Sequence, residues 1–182
     1  MRVDALLRAG ITRSFEFFPP RSDEEEATLA ATLADLEPLR PSFVSVTYRG
    51  GRESRQRTYD LVTRIQRHGH LVPMAHLICV GHSRAEMTEI LENYRDAGVE
   101  NLMALGGDPL EGEDLVRELD HASDLVALAR GVGDFSIGVA AHPDGHPRSA
   151  DLASDRRFLA AKLDAADFAV TQFFFELAQW TR

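Results

Sequence analysis

Six polar residues in this chain each stand in or just after a short apolar run, and their types suit acid–base chemistry and polar recognition. Glu16 lies within Ser14-Phe15-Glu16-Phe17-Phe18-Pro19-Pro20, Thr47 follows Phe43-Val44-Ser45-Val46, and His76 follows Pro73-Met74-Ala75. Asp108 follows Met103-Ala104-Leu105-Gly106-Gly107, His142 follows Ile137-Gly138-Val139-Ala140-Ala141, and Gln172 follows Phe168-Ala169-Val170-Thr171. A carboxyl at Glu16 could move a proton at a reacting atom. Each residue alone also has a structural reading. Glu16 could pair with an arginine, Thr47 could satisfy a turn, Asp108 could cap the following segment, and His76 and His142 could be hydrogen-bonded core histidines. No other ligand lies at zinc-type spacing, so no metal is expected, although a metal-dependent lyase using His76, Asp108 and His142 stays as an alternative. Gly106-Gly107 lets a ligand approach the backbone without forming a dinucleotide fingerprint. Asp155 and Lys162, seven apart, share a helix face, where a surface pair is the default.

The elements that must position these residues alternate between two periods. Segments rich in Val, Ile, Phe and Thr predict strands at 11–18, 42–48, 71–78, 99–106, 135–141 and 167–174. Longer segments with apolar residues three and four apart predict helices at 23–37, 53–67, 83–97, 121–131 and 151–164, with another beginning near Glu176. Ser22 with Glu25 and Ser83 with Glu86 read as capping boxes, and Gly69 and Gly98 as helix stops. The pattern is βαβα, which implies a parallel sheet with helices outside it, and residues 1–182 read as one domain. At about 30 residues per unit the chain holds six βα units, whereas a closed (β/α)₈ barrel takes about 250 residues. A six-unit open α/β sheet and a barrel lacking its last quarter both satisfy the periodicity. In a barrel, all six polar residues fall on the C-terminal rim of the strands, where independent structural roles would not need to gather them.

Composition narrows the partners. Of 182 residues, 20 are Lys or Arg and 29 are Asp or Glu, a formal charge of −9 that repels phosphate backbones and anionic membranes. Nucleic acid and membrane partners are therefore not expected. No stretch approaches the roughly 20 apolar residues of a membrane span, and residues 1–10 lack a signal-peptide pattern. A single cysteine, Cys79, suits a reducing compartment, and the reading is cytoplasmic.

Ser14-Phe15-Glu16-Phe17-Phe18-Pro19-Pro20, Phe43-Val44-Ser45-Val46-Thr47-Tyr48 and Thr171-Gln172-Phe173-Phe174-Phe175 together resemble the first, second and sixth strands of the methylenetetrahydrofolate reductase family. Ala75-His76-Leu77, Gly107-Asp108 and Val139-Ala140-Ala141-His142-Pro143 match in order and spacing, so the resemblance covers essentially the whole chain. It implies a (β/α)₈ TIM barrel of which about six units are present. It also implies reduction of 5,10-methylenetetrahydrofolate to 5-methyltetrahydrofolate, with NAD(P)H as hydride donor and FAD as cofactor. By the same resemblance, Glu16 would be the general acid and Asp108 would lie beside flavin and pterin. Gln172 would bond the pterin edge, and Thr47, His76, Gly107, Asp108, His142, Asp155 and Lys162 would line the flavin site. The acid role asks for a protonated carboxyl, which Phe15, Phe17 and Phe18 would promote if they desolvate Glu16. Two positions depart from the family pattern: Gly106 stands where Arg is common and His142 where Tyr is common. A weaker hold on FAD, or direct hydride transfer without flavin, is the corresponding expectation. A non-catalytic folate- or flavin-binding module is a further alternative, and a homo-oligomer is possible.

Overall fold

The computed structural model describes residues 1–47, 52–107 and 118–181. Asp108 and Tyr48 lie outside the described residues. Six strands, β1 (Ser14–Phe17), β2 (Phe43–Val46), β3 (Pro73–Ile78), β4 (Asn101–Leu105), β5 (Ser136–Ala141) and β6 (Phe168–Thr171), alternate with helices. The helices are α1 (Val3–Ala9), α2 (Asp23–Leu36), α3 (Arg52–His68), α4 (Arg84–Asp96), α5 (Ala122–Val132), α6 (Leu152–Leu163) and α7 (Leu177–Thr181).

All strand pairs are parallel and the spatial order is β1-β2-β3-β4-β5-β6. Doubly wound sheets reverse their strand order part-way, whereas a barrel keeps sequence order. The two architectures left open by periodicity are thereby separated, and the sheet is six units of a barrel.

Side-chain alternation confirms which face is which. Val44, Val46, Ala75, Leu77, Leu102, Ala104, Ile137 and Val139 pack with Leu61, Met87, Leu91, Tyr94 and Leu125 in a core between sheet and helices. Phe43, Met74, Met103 and Phe168, the intervening positions, meet one another and Val3 in a second cluster. Contact among residues of β2, β3, β4 and β6 requires a curled sheet whose concave face is closed by side chains. At Gly138 an added Cβ would lie 2.4 Å from the Phe168 ring, so the glycine makes room for that ring. Five of the six polar residues, Glu16, Thr47, His76, His142 and Gln172, have the same strand parity as this inner cluster.

Helix α1 was not foreseen. It covers the N-terminal end of the strands, where the Val3 N–H donates to Asn101 Oδ1 at 2.7 Å and the Asp4 N–H to Ser136 Oγ at 3.0 Å. Asp4 itself is buried and pairs with Arg2 and Arg8. The strands are shorter than their sequence signals. β1, expected over 11–18, pairs only from Ser14 opposite Phe43 to Phe17 opposite Val46, so its ladder ends where β2 ends. Ser83 and Glu86 form a reciprocal box at α4. At α2 the Ser22 hydroxyl accepts from the Glu25 N–H, but the Glu25 carboxylate accepts from Arg21 instead of Ser22. Gly69 and Gly98 adopt φ of 71° and 76°, the left-handed geometry expected of helix stops. Cys79 is buried, donates to the His121 carbonyl, and has its pKa pushed up to about 12 by burial. No helix among the described residues is long and apolar enough to cross a membrane.

Candidate active site

The first group of polar side chains forms where β1, β2 and β3 end. Phe15 and Phe17 pack against the outer core, so pleating sends Glu16 to the concave face. Register sets Glu16 opposite Ser45, whose hydroxyl donates to Glu16 Oε2 at 3.1 Å. His76 Nε2 lies 3.5 Å from the same oxygen, an electrostatic contact longer than a typical hydrogen bond. Burial pushes the pKa of His76 below its ordinary value, with the Glu16 charge opposing. Burial thus disfavours the imidazolium, and among the described residues its Nδ1 is buried without a hydrogen-bond partner. Glu16 is 54% exposed and Phe18 is also exposed. The phenylalanines thus do not desolvate the carboxyl, because alternation turns Phe15 and Phe17 to the opposite face. A bound substrate would have to exclude the water.

Thr47 is half-buried, and its backbone ties the rim together: its N–H donates to the Phe17 carbonyl at 3.0 Å and its carbonyl accepts from the Thr58 hydroxyl at 3.3 Å. Gly107 follows β4 with φ of 81°, and a Cβ there would fall 2.0 Å from Ile78 Cγ2. Only glycine fits, and it leaves bare backbone on the rim.

A second group forms on the segment between β5 and α6. The His142 and His146 rings meet edge to face with centroids 4.6 Å apart. Asp155 is buried in the first turn of α6 and accepts from the Ser149 hydroxyl at 3.0 Å. Lys162 reaches back along the helix to donate to the Ala140 carbonyl at 3.0 Å. Asp155 and Lys162 are therefore not the solvated surface pair of the default reading. Burial lowers the pKa of Lys162 against the pull of Asp155, and burial with His146 lowers that of His142. Both histidines of the notional metal set are engaged separately, His76 with Glu16 and His142 with His146. Gln172 lies beside them at the end of β6, its N–H donating to the Ala141 carbonyl at 2.8 Å and its side chain exposed.

Several members of these groups have no signature in the sequence. Ser45 is an unremarked serine within a strand. His146 could have been found from the repeated His-Pro pair, His142-Pro143 and His146-Pro147. Arg148, whose N–H donates to His146 Nδ1 at 3.1 Å, and Ser149 lie in a stretch without periodicity.

Residues 2–182 match the family model for methylenetetrahydrofolate reductase. The chain belongs to the methylenetetrahydrofolate reductase family. Among relatives within methylenetetrahydrofolate reductases, the 5,10-methylenetetrahydrofolate reductase of Pectobacterium carotovorum subsp. carotovorum is 41% identical over 180 residues, covering 98% of this chain and 59% of that protein. The chain spans about 60% of the length of the curated relatives it matches. Two solved structures share the fold at low identity. Oxaloacetate acetylhydrolase superposes with a TM-score of 0.67 at 14% identity, covering 98% of this chain and 65% of that one. A Clostridium thermocellum protein that binds two copies of 5-methyl-5,6,7,8-tetrahydrofolic acid gives 0.63 at 11% identity, covering 98% and 60%. In this chain both polar groups lie on one rim of a curled parallel sheet.

Proposed function

We propose that this chain forms the catalytic face of an enzyme that reduces 5,10-methylenetetrahydrofolate to 5-methyltetrahydrofolate with electrons from NAD(P)H. Family membership supports the reaction, and the folate bound by the Clostridium thermocellum structural neighbour accords with a folate substrate. The observation that carries the assignment of residues is the Glu16 carboxyl, aimed into the barrel mouth and held by Ser45 beside buried His76.

Glu16 is the acid in this reading. Protonation of a ring nitrogen by the Glu16 carboxyl breaks its bond to the bridging carbon, leaving an iminium at the other nitrogen that accepts hydride. The Ser45 hydroxyl fixes which Glu16 oxygen is engaged, leaving the other to face substrate. Gln172, exposed on the same rim, is placed to hydrogen-bond the pterin edge, and Asp108 is assigned a place beside it by the family motif alone.

The residues present fit FAD. Bare backbone at Gly107, the buried Nδ1 of His76, which has no partner among the described residues, and Lys162 at the end of β5 suit a flat heterocycle carrying an anionic tail. Held there, the group would supply hydride chemistry, with NAD(P)H as its source of electrons. Thr47, His76, Gly107, His142, Asp155 and Lys162 would hold it, together with Asp108.

The test is Glu16→Gln in the full-length protein. The amide keeps the volume and an acceptor for Ser45 but has no proton to give, and loss of general acid catalysis is expected to cost about 10²- to 10⁴-fold in folate reduction. NAD(P)H oxidation by an artificial acceptor and folate binding should persist. Folate turnover at the wild-type rate would refute the assignment of Glu16.

A further inference from the structure

Gly106 offers no side chain to a cofactor, yet the space above it is not empty. A Cβ built at Gly106 would lie 3.5 Å from Arg148 Nη2, ordinary contact distance, so a guanidinium from the β5–α6 segment covers the glycine. We propose that Arg148 is a phosphate-binding residue, delivering across the cleft the positive charge that position 106 lacks, to the pyrophosphate of FAD. This rests on the flavin reading above and concerns a residue to which that reading gives no role.

Three observations support it. The segment carrying Arg148 is fixed at both ends. Its N–H donates to His146 Nδ1, the next N–H (Ser149) donates to the His146 carbonyl at 2.9 Å, and the Ser149 hydroxyl is anchored on buried Asp155. Gly145 turns the segment with φ of 91°, its N–H donating to the His142 carbonyl at 3.0 Å. The guanidinium is thus presented by a built loop.

Arg148 is also exposed and, among the described residues, makes no ion pair, so its charge is not consumed by the fold. Arg2, Arg64 and Arg130, by contrast, are paired with carboxylates. Finally, the same end of the sheet carries the Lys162 ammonium, and Asp155, which attracts it, also accepts from the Ser149 hydroxyl. In a chain of formal charge −9, Arg148 and Lys162 thus place two cationic side chains at this end of the sheet, beside glycine backbone. A planar guanidinium suits a phosphate because two parallel N–H groups can engage two oxygens at once.

Arg148 should therefore matter for FAD and not for riboflavin, which has the same ring system and no phosphate. In the full-length protein, Arg148→Ala is expected to raise the Kd for FAD by about 10- to 100-fold, read by flavin fluorescence titration. Its Kd for riboflavin should stay within about twofold, and Arg148→Lys should fall between alanine and wild type for FAD. A charge-transfer variant sharpens the test. Gly106 does not have a positive φ, so Gly106→Arg is conformationally allowed. In the Arg148→Ala background it should recover most of the lost FAD affinity, whereas alone it should add little, because two guanidinium groups would contend for one place. Equal FAD affinity in wild type and Arg148→Ala would overturn the role of Arg148 while leaving the flavin reading intact. Parallel loss of FAD and riboflavin would also overturn it, showing that Arg148 serves only the loop. A wild-type protein that binds neither flavin would remove both the flavin reading and this proposal.

Discussion

Gly107→Ala puts the geometry of the rim to a quantitative test. Two separate penalties apply. The residue has φ of 81°, and a side chain in the left-handed region costs about 1–2 kcal/mol. The new Cβ would also sit 2.0 Å from Ile78 Cγ2, where carbon atoms normally rest about 3.5–4.0 Å apart. Ile78 must then change rotamer or β3 and β4 must separate, an overpacking cost of about 1–3 kcal/mol. The sum, about 2–5 kcal/mol, is a large fraction of the roughly 5–15 kcal/mol that stabilises a typical domain. The two parts can be separated because the clash involves one atom. The next contacts, Ile78 Cβ at 3.5 Å and Val80 Cβ at 3.6 Å, are ordinary. Ile78→Ala removes Cγ2 and should abolish the overpacking while leaving the dihedral penalty. Equilibrium denaturant unfolding of the wild type, both single variants and the double variant gives the coupling directly. The double variant is expected to be about 1–3 kcal/mol more stable than additivity allows. Strict additivity, or a Gly107→Ala cost below about 0.5 kcal/mol, would show that the rim does not depend on bare backbone there.

Two predictions concern the closed end of the sheet. Burial opposes ionisation of Asp4, but hydrogen bonds from Arg8, Ser136 and Arg2 outweigh it and hold the pKa at about 2, against an ordinary 3.8. A depressed carboxyl pKa stabilises the fold above the unfolded value, and that contribution is lost as pH falls from about 4 to about 2. Allowing for solvent around exposed Arg8, Asp4→Asn should cost about 1–2 kcal/mol at neutral pH and flatten the acid limb of the stability profile; an unchanged acid limb would count against this pairing. Asn101 Oδ1 accepts from Val3, and its Nδ2 donates to the carbonyls of Met1 and Pro73 at 3.0 and 3.1 Å. Asn101→Ala strands these groups and should cost about 2–4 kcal/mol, with hydrogen exchange of α1 amides accelerated beyond that of the outer core; uniform exchange would contradict the assigned anchor.

The parts of this architecture that were legible in the sequence are those whose stability is local or periodic. The alternation of Phe43-Val44-Ser45-Val46 and the i, i+3, i+4 spacing of Leu61, Ile65 and Met87, Leu91 translate directly into a strand facing two cores and helices covering one of them. Strand order was not legible from periodicity alone, since an open sheet and a barrel bury the same helix faces. Helix α1 escaped because seven residues hold no helix by themselves; its structure comes from Asn101 and Ser136, 98 and 132 residues from their partners Val3 and Asp4. In the site, Glu16 and His76 stand out because charged or titratable side chains are unusual between buried apolar neighbours. Ser45 does not, because a serine within a strand has many innocent explanations until register sets it opposite a carboxylate. Arg148 illustrates the remaining difficulty: its relation to Gly106 exists only through two βα units folding side by side.

The anchoring of α1 has a consequence for how the molecule assembles. Val3 and Asp4 precede every strand of the sheet, but their acceptors, Asn101 and Ser136, belong to the fourth and fifth strands. Local βα units can form as the chain lengthens, whereas the opening helix has nowhere to bind until more than two-thirds of this sequence is in place. Closing so long a loop carries an entropic cost that only an already ordered pair of strands can offset. Docking of α1 thus reports that β4 and β5 have come together in the correct order.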